Sequence, residues 1–315
     1  MKLRYILFCL LGVCASFCLY TILPGNSKQE KIILIAKGSS KVDIAKALAK
    51  EQIIRLPSWY WLLSQILTID GYIQAGEYKI SAGASPFNII MMMKSGEGVI
   101  RKVIIPEGFT TYQILELVKN DHNLAGNVTT QYKEGDFLPE TYFYILGDSK
   151  QAILDKMHSA MLSTIERLWP QRAINLPLES AQQTLIFASI IEKETKFDDE
   201  LPLIASVFYN RLKLGMRLQA DPTTIYGITA GKYTLERPLS KKDLQTSSQF
   251  NTYIISGLPP APIANPGIAS IKATLNPAHT QYLYFVANAE GRHSFSTKLS
   301  EHNKHVQNYR KLSNK

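Results

Sequence analysis

Hydrophobic and polar positions fall into three kinds of pattern along the chain. Tyr5 to Leu23 is an uncharged run long enough to cross a bilayer as a helix. From Lys31 a short unit repeats. Ile33-Leu-Ile-Ala-Lys-Gly38 with Ile44 and Leu48 recurs as Tyr78-Lys-Ile-Ser-Ala-Gly83 with Ile89 and Met93, then as Val103-Ile-Ile-Pro-Glu-Gly108 with Ile114 and Val118. In each copy a strand ends at a glycine, and a Ser or Thr shortly after can cap a helix whose apolar residues stand at i and i+4. The pattern predicts three strand-turn-helix units. Beyond them the period is helical over Ser149 to Trp169, Thr184 to Thr195 and Leu203 to Leu214, the last stopped by Gly215. Asp221 and Pro222 read as N-cap and first residue of a short helix closed by Gly227. Gly257 to Gly267 is too rich in Pro and Gly for regular structure, and long loops of this kind serve sites. A helix over Ile268 to Leu275 and a strand over Tyr282 to Ala287 follow. The fold class is α+β.

The first repeat copy, Trp59-Tyr-Trp-Leu-Leu63 and the strand at Glu77 to Ile80 give the order strand, helix, helix, strand. That order resembles a LysM-type glycan-binding module. Trp59, Tyr60 and Trp61 either stack on sugar rings or pack in a core. Lys133 to Tyr142, with Gly135 and Pro139, reads either as a rigid cleft wall or as a surface loop with buried aromatics.

Composition sharpens the topology. Lys2 and Arg4 ahead of the apolar run place the N-terminus in the cytosol. A cleaved signal peptide is the competing reading, but the run exceeds a usual h-region and no A-x-A-like site follows. Cys9, Cys14 and Cys18 all lie in the run, so the exported part is free of thiols and is held by its own core. Setting aside Lys2 and Arg4 leaves 33 basic against 26 acidic residues, net +7. The bases are scattered and carry no nucleic-acid motif, so anionic lipid or an acidic wall polymer suits them better. His279, His293, His302 and His305 have no ligand spacing, and neither metal nor cofactor is expected.

One residue carries the candidate chemistry. Leu185, Ala188, Ser189 and Glu192 follow the i, i+3, i+4, i+7 spacing of a core-facing stripe. A carboxylate there, with no Arg or Lys on the stripe, loses hydration on ionising, a setting suited to a general acid. The alternative is an ordinary solvated helix glutamate. Glu194, about 200° further round, shares the cleft only if the helix ends there.

Taken in order, Ala188-Ser-Ile-Ile-Glu-Lys-Glu-Thr195, Ala205-Ser-Val-Phe-Tyr-Asn-Arg-Leu212, Gly215-Met-Arg-Leu-Gln-Ala-Asp-Pro-Thr223, Asn251-Thr-Tyr253, Gly257-Leu-Pro-Pro260, Asn265-Pro-Gly267, Tyr282-Leu-Tyr-Phe-Val286 and Glu301-His-Asn303 resemble the endolytic murein transglycosylase family (MltG, YceG-like). So does Glu134-Gly-x-x-x-Pro139. Phe250 for Tyr, Ala261 for Gly and Glu140 for Asp are the departures. The resemblance implies cleavage between MurNAc and GlcNAc within peptidoglycan strands at the outer face of the cytoplasmic membrane, leaving 1,6-anhydroMurNAc ends. A lytic transglycosylase uses the MurNAc 6-hydroxyl as internal nucleophile, so a single acid/base, here Glu192, suffices where a hydrolase needs two carboxylates. By the same resemblance Glu194, Gln219, Asp221, Asn251 and Tyr253 are candidate substrate-binding residues, although Asp221 has a capping alternative and Tyr253 a packing one. The partners implied are glycan strands and the cytoplasmic membrane, with peptidoglycan synthases or division proteins as further candidates and nucleic acid excluded. The expected layout is a cytoplasmic N-terminus and single-pass anchor over 1–26, a small LysM-like α+β domain over 27–105, and a larger α+β catalytic domain over 106–315. A hydrolytic muramidase and a non-catalytic wall-binding or division scaffold remain the alternatives.

Overall fold

The computed structural model describes residues 2–69 and 71–313, which form two compact units. The first holds Met1–Lys102 with Asn123–Ala125 and Phe143–Asp148; the second holds Val103–His122, Gly126–Tyr142 and Ser149–Lys315.

In the first unit, α1 (Lys2–Ile22) contains the 19-residue apolar span Arg4–Ile22. There follow β1 (Lys31–Ile35), α2 (Lys41–Lys50), α3 (Pro57–Leu67), β2 (Gly76–Ile80) and α4 (Pro86–Ser95). β1 and β2 pair antiparallel with Ile33 opposite Tyr78, so alternate residues Ile33, Ile35, Tyr78 and Ile80 face one core. The strand, helix, helix, strand order expected from the sequence is present. Of the aromatic triplet, Tyr60 is wholly buried and the Trp59 ring meets those of Phe17 and Tyr20 on α1, both at 5.6 Å. Tyr60 takes the core reading, whereas Trp59 is half-buried against α1.

β3 (Arg101–Ile104) pairs with β4 (Thr141–Tyr144), between which lies α5 (Thr111–Lys119). All three repeat copies form as expected. Gly38, Gly83 and Gly108 take φ of 87°, 69° and 72°, where a side chain would be strained. Ser40, Ser85 and Thr110 then cap α2, α4 and α5 through the backbone N–H of Asp43, Asn88 and Gln113.

The second unit is built on helices: α6 (Lys150–Leu168), α7 (Ala181–Glu194), α8 (Leu201–Lys213), α9 (Asp221–Thr229) and α10 (Ile268–Leu275). A hairpin of β5 (Tyr284–Ala287) and β6 (His293–Ser296) and a last helix α11 (Leu299–Ser313) complete it. Neither β6 nor α11 is expected from the sequence, where the text is largely polar. α7 is buried from Thr184 to Ile191, which explains its apolar composition nearly all round. Phe187 stacks on Tyr209 of α8 at 4.2 Å, and Ala188 and Leu185 pack against Ile271 and Leu275 of α10. Gly227 does not close α9. The helix runs on to Thr229, where Ala230 turns left-handed (φ 50°), and Gly227 instead permits close approach of the Ser248 side chain.

Candidate active site

The stripe read from the sequence splits at its end. Leu185, Ala188 and Ser189 are buried, while Glu192 is half-buried at the edge of an open groove of about 440 Å³. Ser189 fixes the helix to the Gly257–Gly267 loop by accepting the N–H of Ile263 at 3.0 Å. Further along that loop, the N–H of Gly267 donates to Glu192 Oε2 at 3.0 Å. The loop therefore serves the carboxylate directly.

The loop passes through the interior. Asn265 is wholly buried, and its amide nitrogen donates to Phe109 O at 2.9 Å and to Thr111 Oγ1 and Glu134 Oε1 at 3.2 Å each. Its amide oxygen accepts the N–H of Phe137 at 2.8 Å. Glu134 also accepts the N–H of Thr111 at 2.6 Å and the hydroxyl of Tyr226 at 3.1 Å. Burial raises its carboxyl above the ordinary range, the hydrogen bonds opposing. Phe137 and Leu138 are buried. The Lys133–Tyr142 segment is thus a strut under the site, and of the two readings the one with buried aromatics is seen.

A second carboxylate borders the groove. Glu107 comes from the turn of the third repeat copy and reaches the Cα of Gly267, where an added Cβ would lie only 1.7 Å from its Oε1. A side chain at residue 267 would have to push the Glu107 carboxyl aside. Burial raises the Glu107 carboxyl, and the charges of Glu192 and Asp198 raise it further. In the sequence Glu107 is one residue of a repeat copy with no chemical role assigned to it; its place beside residues 192 and 267 is visible only in three dimensions.

Glu194 is also on the groove because α7 ends at it; Thr195 is extended (φ −144°, ψ 152°). It is the carboxylate of this helix most withdrawn from water. Oε1 is buried without a hydrogen-bond partner among the described residues. Its carboxyl is pushed up to about 8, by burial first and by the charge of Asp221 next, with Arg211 opposing. Arg211 is buried on α8 and donates to Leu283 O at 2.6 Å and Leu218 O at 2.8 Å. A charged residue among Ala205, Phe208 and Tyr209 is the sequence signal that this position is special.

The remaining candidates take different places. Asp221 is the first residue of α9, with Ala220 at the cap position, so it does not cap the helix; its Oδ1 accepts the Tyr253 hydroxyl at 2.5 Å. The two face Glu194 and Arg211, and burial followed by Asp221 raises the Tyr253 phenol. Gln219 is exposed, with a left-handed φ of 51°, and its N–H donates to Thr252 O. Asn251 is wholly buried. It accepts from Thr224 Oγ1 and the N–H of Tyr253 and donates to Leu244 O and Thr246 O, so its hydrogen-bonding capacity is spent inside the protein.

The raised Glu194 carboxyl yields a prediction. Its folded value near 8 lies above the ordinary value of 4.5, so the neutral form is the one the fold favours, and stability is lost as pH rises from 4.5 through 8. Glu194→Gln is expected to match the parent below that window and to exceed it by a few kcal/mol at most above it, at about 1.4 kcal/mol per pKa unit. Urea unfolding of both proteins across the window measures the gap.

Comparison with known proteins agrees with this architecture. A family model described as the YceG-like family matches residues 33–308. An endolytic murein transglycosylase of Bacillus subtilis (strain 168) is 32% identical, over 90% of this chain and 86% of the relative. Another, from Streptococcus pneumoniae serotype 2 (strain D39 / NCTC 7466), is 24% identical over 92% of this chain and 60% of its own. A crystal structure of a yceG-like protein from Listeria monocytogenes aligns with a TM-score of 0.54 and 32% identity, over 88% of this chain and 99% of that one. With the matched region running from β1 into α11, the chain belongs to the YceG-like family.

Proposed function

We propose that this protein is a membrane-anchored endolytic peptidoglycan lytic transglycosylase with Glu192 as its acid/base. The observation that carries the reading is a glutamate at the end of a buried helix, bordering an open groove and held by the Gly267 amide, in a chain whose relatives are named endolytic murein transglycosylases. Protonated Glu192 gives its proton to the oxygen leaving the MurNAc anomeric carbon, and the C–O bond breaks. The carboxylate then takes the proton of the MurNAc 6-hydroxyl as that oxygen closes on the anomeric carbon. Glu192 ends as it began, and no water is consumed. The Gly267 N–H fixes the carboxyl rotamer and supports its charge between the two transfers.

Glu194 and the hydrogen-bonded pair of Asp221 and Tyr253 form the polar group beside the acid that meets sugar hydroxyls or the N-acetyl group. Exposed Gln219 is the outer candidate, and Asn251 contributes by shaping the Tyr253 turn. α1 is the anchor, with the enzyme on the exoplasmic side, and the β1–α2–α3–β2 unit is a LysM-like module guiding the glycan. Peptidoglycan synthases or division proteins are the partner classes that fit a cutter of nascent strands.

A specific observation favours one rival, the hydrolytic muramidase: Glu107 supplies a second carboxylate near Glu192. Mass spectrometry of a peptidoglycan digest separates the two. The lytic reading expects anhydro ends, with Glu107→Gln slower but giving the same products. Reducing ends that gain one water per cut, together with an inactive Glu107→Gln, would replace it by the hydrolase.

A further inference from the structure

We infer that the outer face of α3 docks into the outer leaflet of the membrane, so that the first unit is seated in anionic lipid beside its own anchor. The inference rests on α1 being a membrane-spanning anchor. The 19 residues Arg4–Ile22 rise about 28 Å as a helix, and a hydrocarbon core is about 30 Å thick. The whole span is needed to cross. Phe17 and Tyr20, within the last two turns, then lie in the outer leaflet.

Trp59 lies with them. Its ring meets both of theirs, and the Tyr20 hydroxyl donates to Leu56 O at 3.0 Å, so the first turn of α3 stands at the depth of those two residues. The same flank of α3 continues through Leu62 and Ile66, at i+3 and i+7 from Trp59, and Ile69 follows in the turn just past the helix end. These are 43%, 54% and 80% exposed. An apolar stripe facing solvent on a small domain is costly unless something covers it. This stripe begins at the anchor.

Charge selects the covering. Lys41 Nζ donates to Gln65 Oε1 and Thr68 O, and Lys94 Nζ donates to Leu67 O, which sets two ammonium groups around the C-terminal end of α3. Arg55, exposed and bonded to Asn26, stands before its N-terminal end. An apolar face flanked by bases and opened by an interfacial Trp matches an anionic lipid surface. The consequence is a module held flat against the bilayer, close to where lipid-linked strands emerge.

The test uses the full chain in nanodiscs of phosphatidylglycerol and phosphatidylethanolamine, with and without brominated acyl chains. In a background with the other cysteines changed to Ser, a bimane on Ile66→Cys is expected to lose most of its emission to brominated lipid. A bimane on Ile174→Cys, 89% exposed in the second unit, is expected to keep it. Bimane on native Cys9 reports the anchor itself. Quenching at Cys9 without quenching at residue 66 overturns the docking and leaves the anchor standing; no quenching at either overturns the anchor reading. If residue 66 resists aqueous iodide but not through lipid, a second protein copy covers the face and the inference fails.

Discussion

Glu192→Gln is expected to abolish release of anhydro-ended fragments, a loss of at least about 10³-fold, while the protein stays folded. General acid–base catalysis by one positioned group contributes about 10²–10⁴-fold, and here a single group performs both transfers, so its loss falls at the upper part of that range. The substitution is close to isosteric. The amide oxygen it introduces can still accept the Gly267 N–H, and the buried residues of α7 are untouched, so unfolding by urea is expected to match the parent. The contrast with Glu194→Gln is diagnostic. That variant removes a withdrawn carboxyl and changes the pH dependence of stability, whereas Glu192→Gln changes turnover. Wild-type turnover in a purified Glu192→Gln protein would remove residue 192 from the chemistry.

Asn265→Ala is expected to cost about 3 kcal/mol or more of stability, because each stranded buried polar group costs about 1–3 kcal/mol. The side chain is wholly buried and its amide joins Phe109, Thr111, Glu134 and Phe137. Removal leaves the Phe137 N–H without its acceptor and takes a donor from a buried carboxyl. Asn265→Asp is expected to be no better, since it sets a second carboxylate against Glu134. Urea titration followed by tryptophan fluorescence checks both, as a fall in midpoint at unchanged slope. The Gly267 amide sits two residues further on, so Asn265→Ala should also lower turnover in the fraction still folded.

Local signals in the sequence were readable, and relationships across the chain were not. Ser40, Ser85 and Thr110 act as caps because capping is settled within four residues, and the glycines before them are required by the turn itself. The same logic put Asp221 at a cap position one residue too late. Ala220 occupies it, its carbonyl accepting both the N–H and the hydroxyl of Thr223 while its own N–H goes to Thr252 Oγ1, so no side chain caps this helix. Asn251 and Asn265 look alike as loop asparagines, and only burial shows that both spend their amides on the framework. The stripe singled out Glu192 as a carboxylate in line with Leu185, Ala188 and Ser189, but did not show that it leaves their burial for the edge of a groove. Glu107 was not legible, since it stands 85 residues before its neighbour and nothing within its own copy distinguishes it.

The Asn265 junction spans very long stretches of chain: its amide is 156 residues from Phe109, 154 from Thr111 and 131 from Glu134. Closing loops of that length is entropically expensive and belongs late in folding. A nascent polypeptide synthesised only as far as α7 already contains residue 192 but not the amide that orients it. The amide that holds residue 192 is therefore added only within the final sixth of translation.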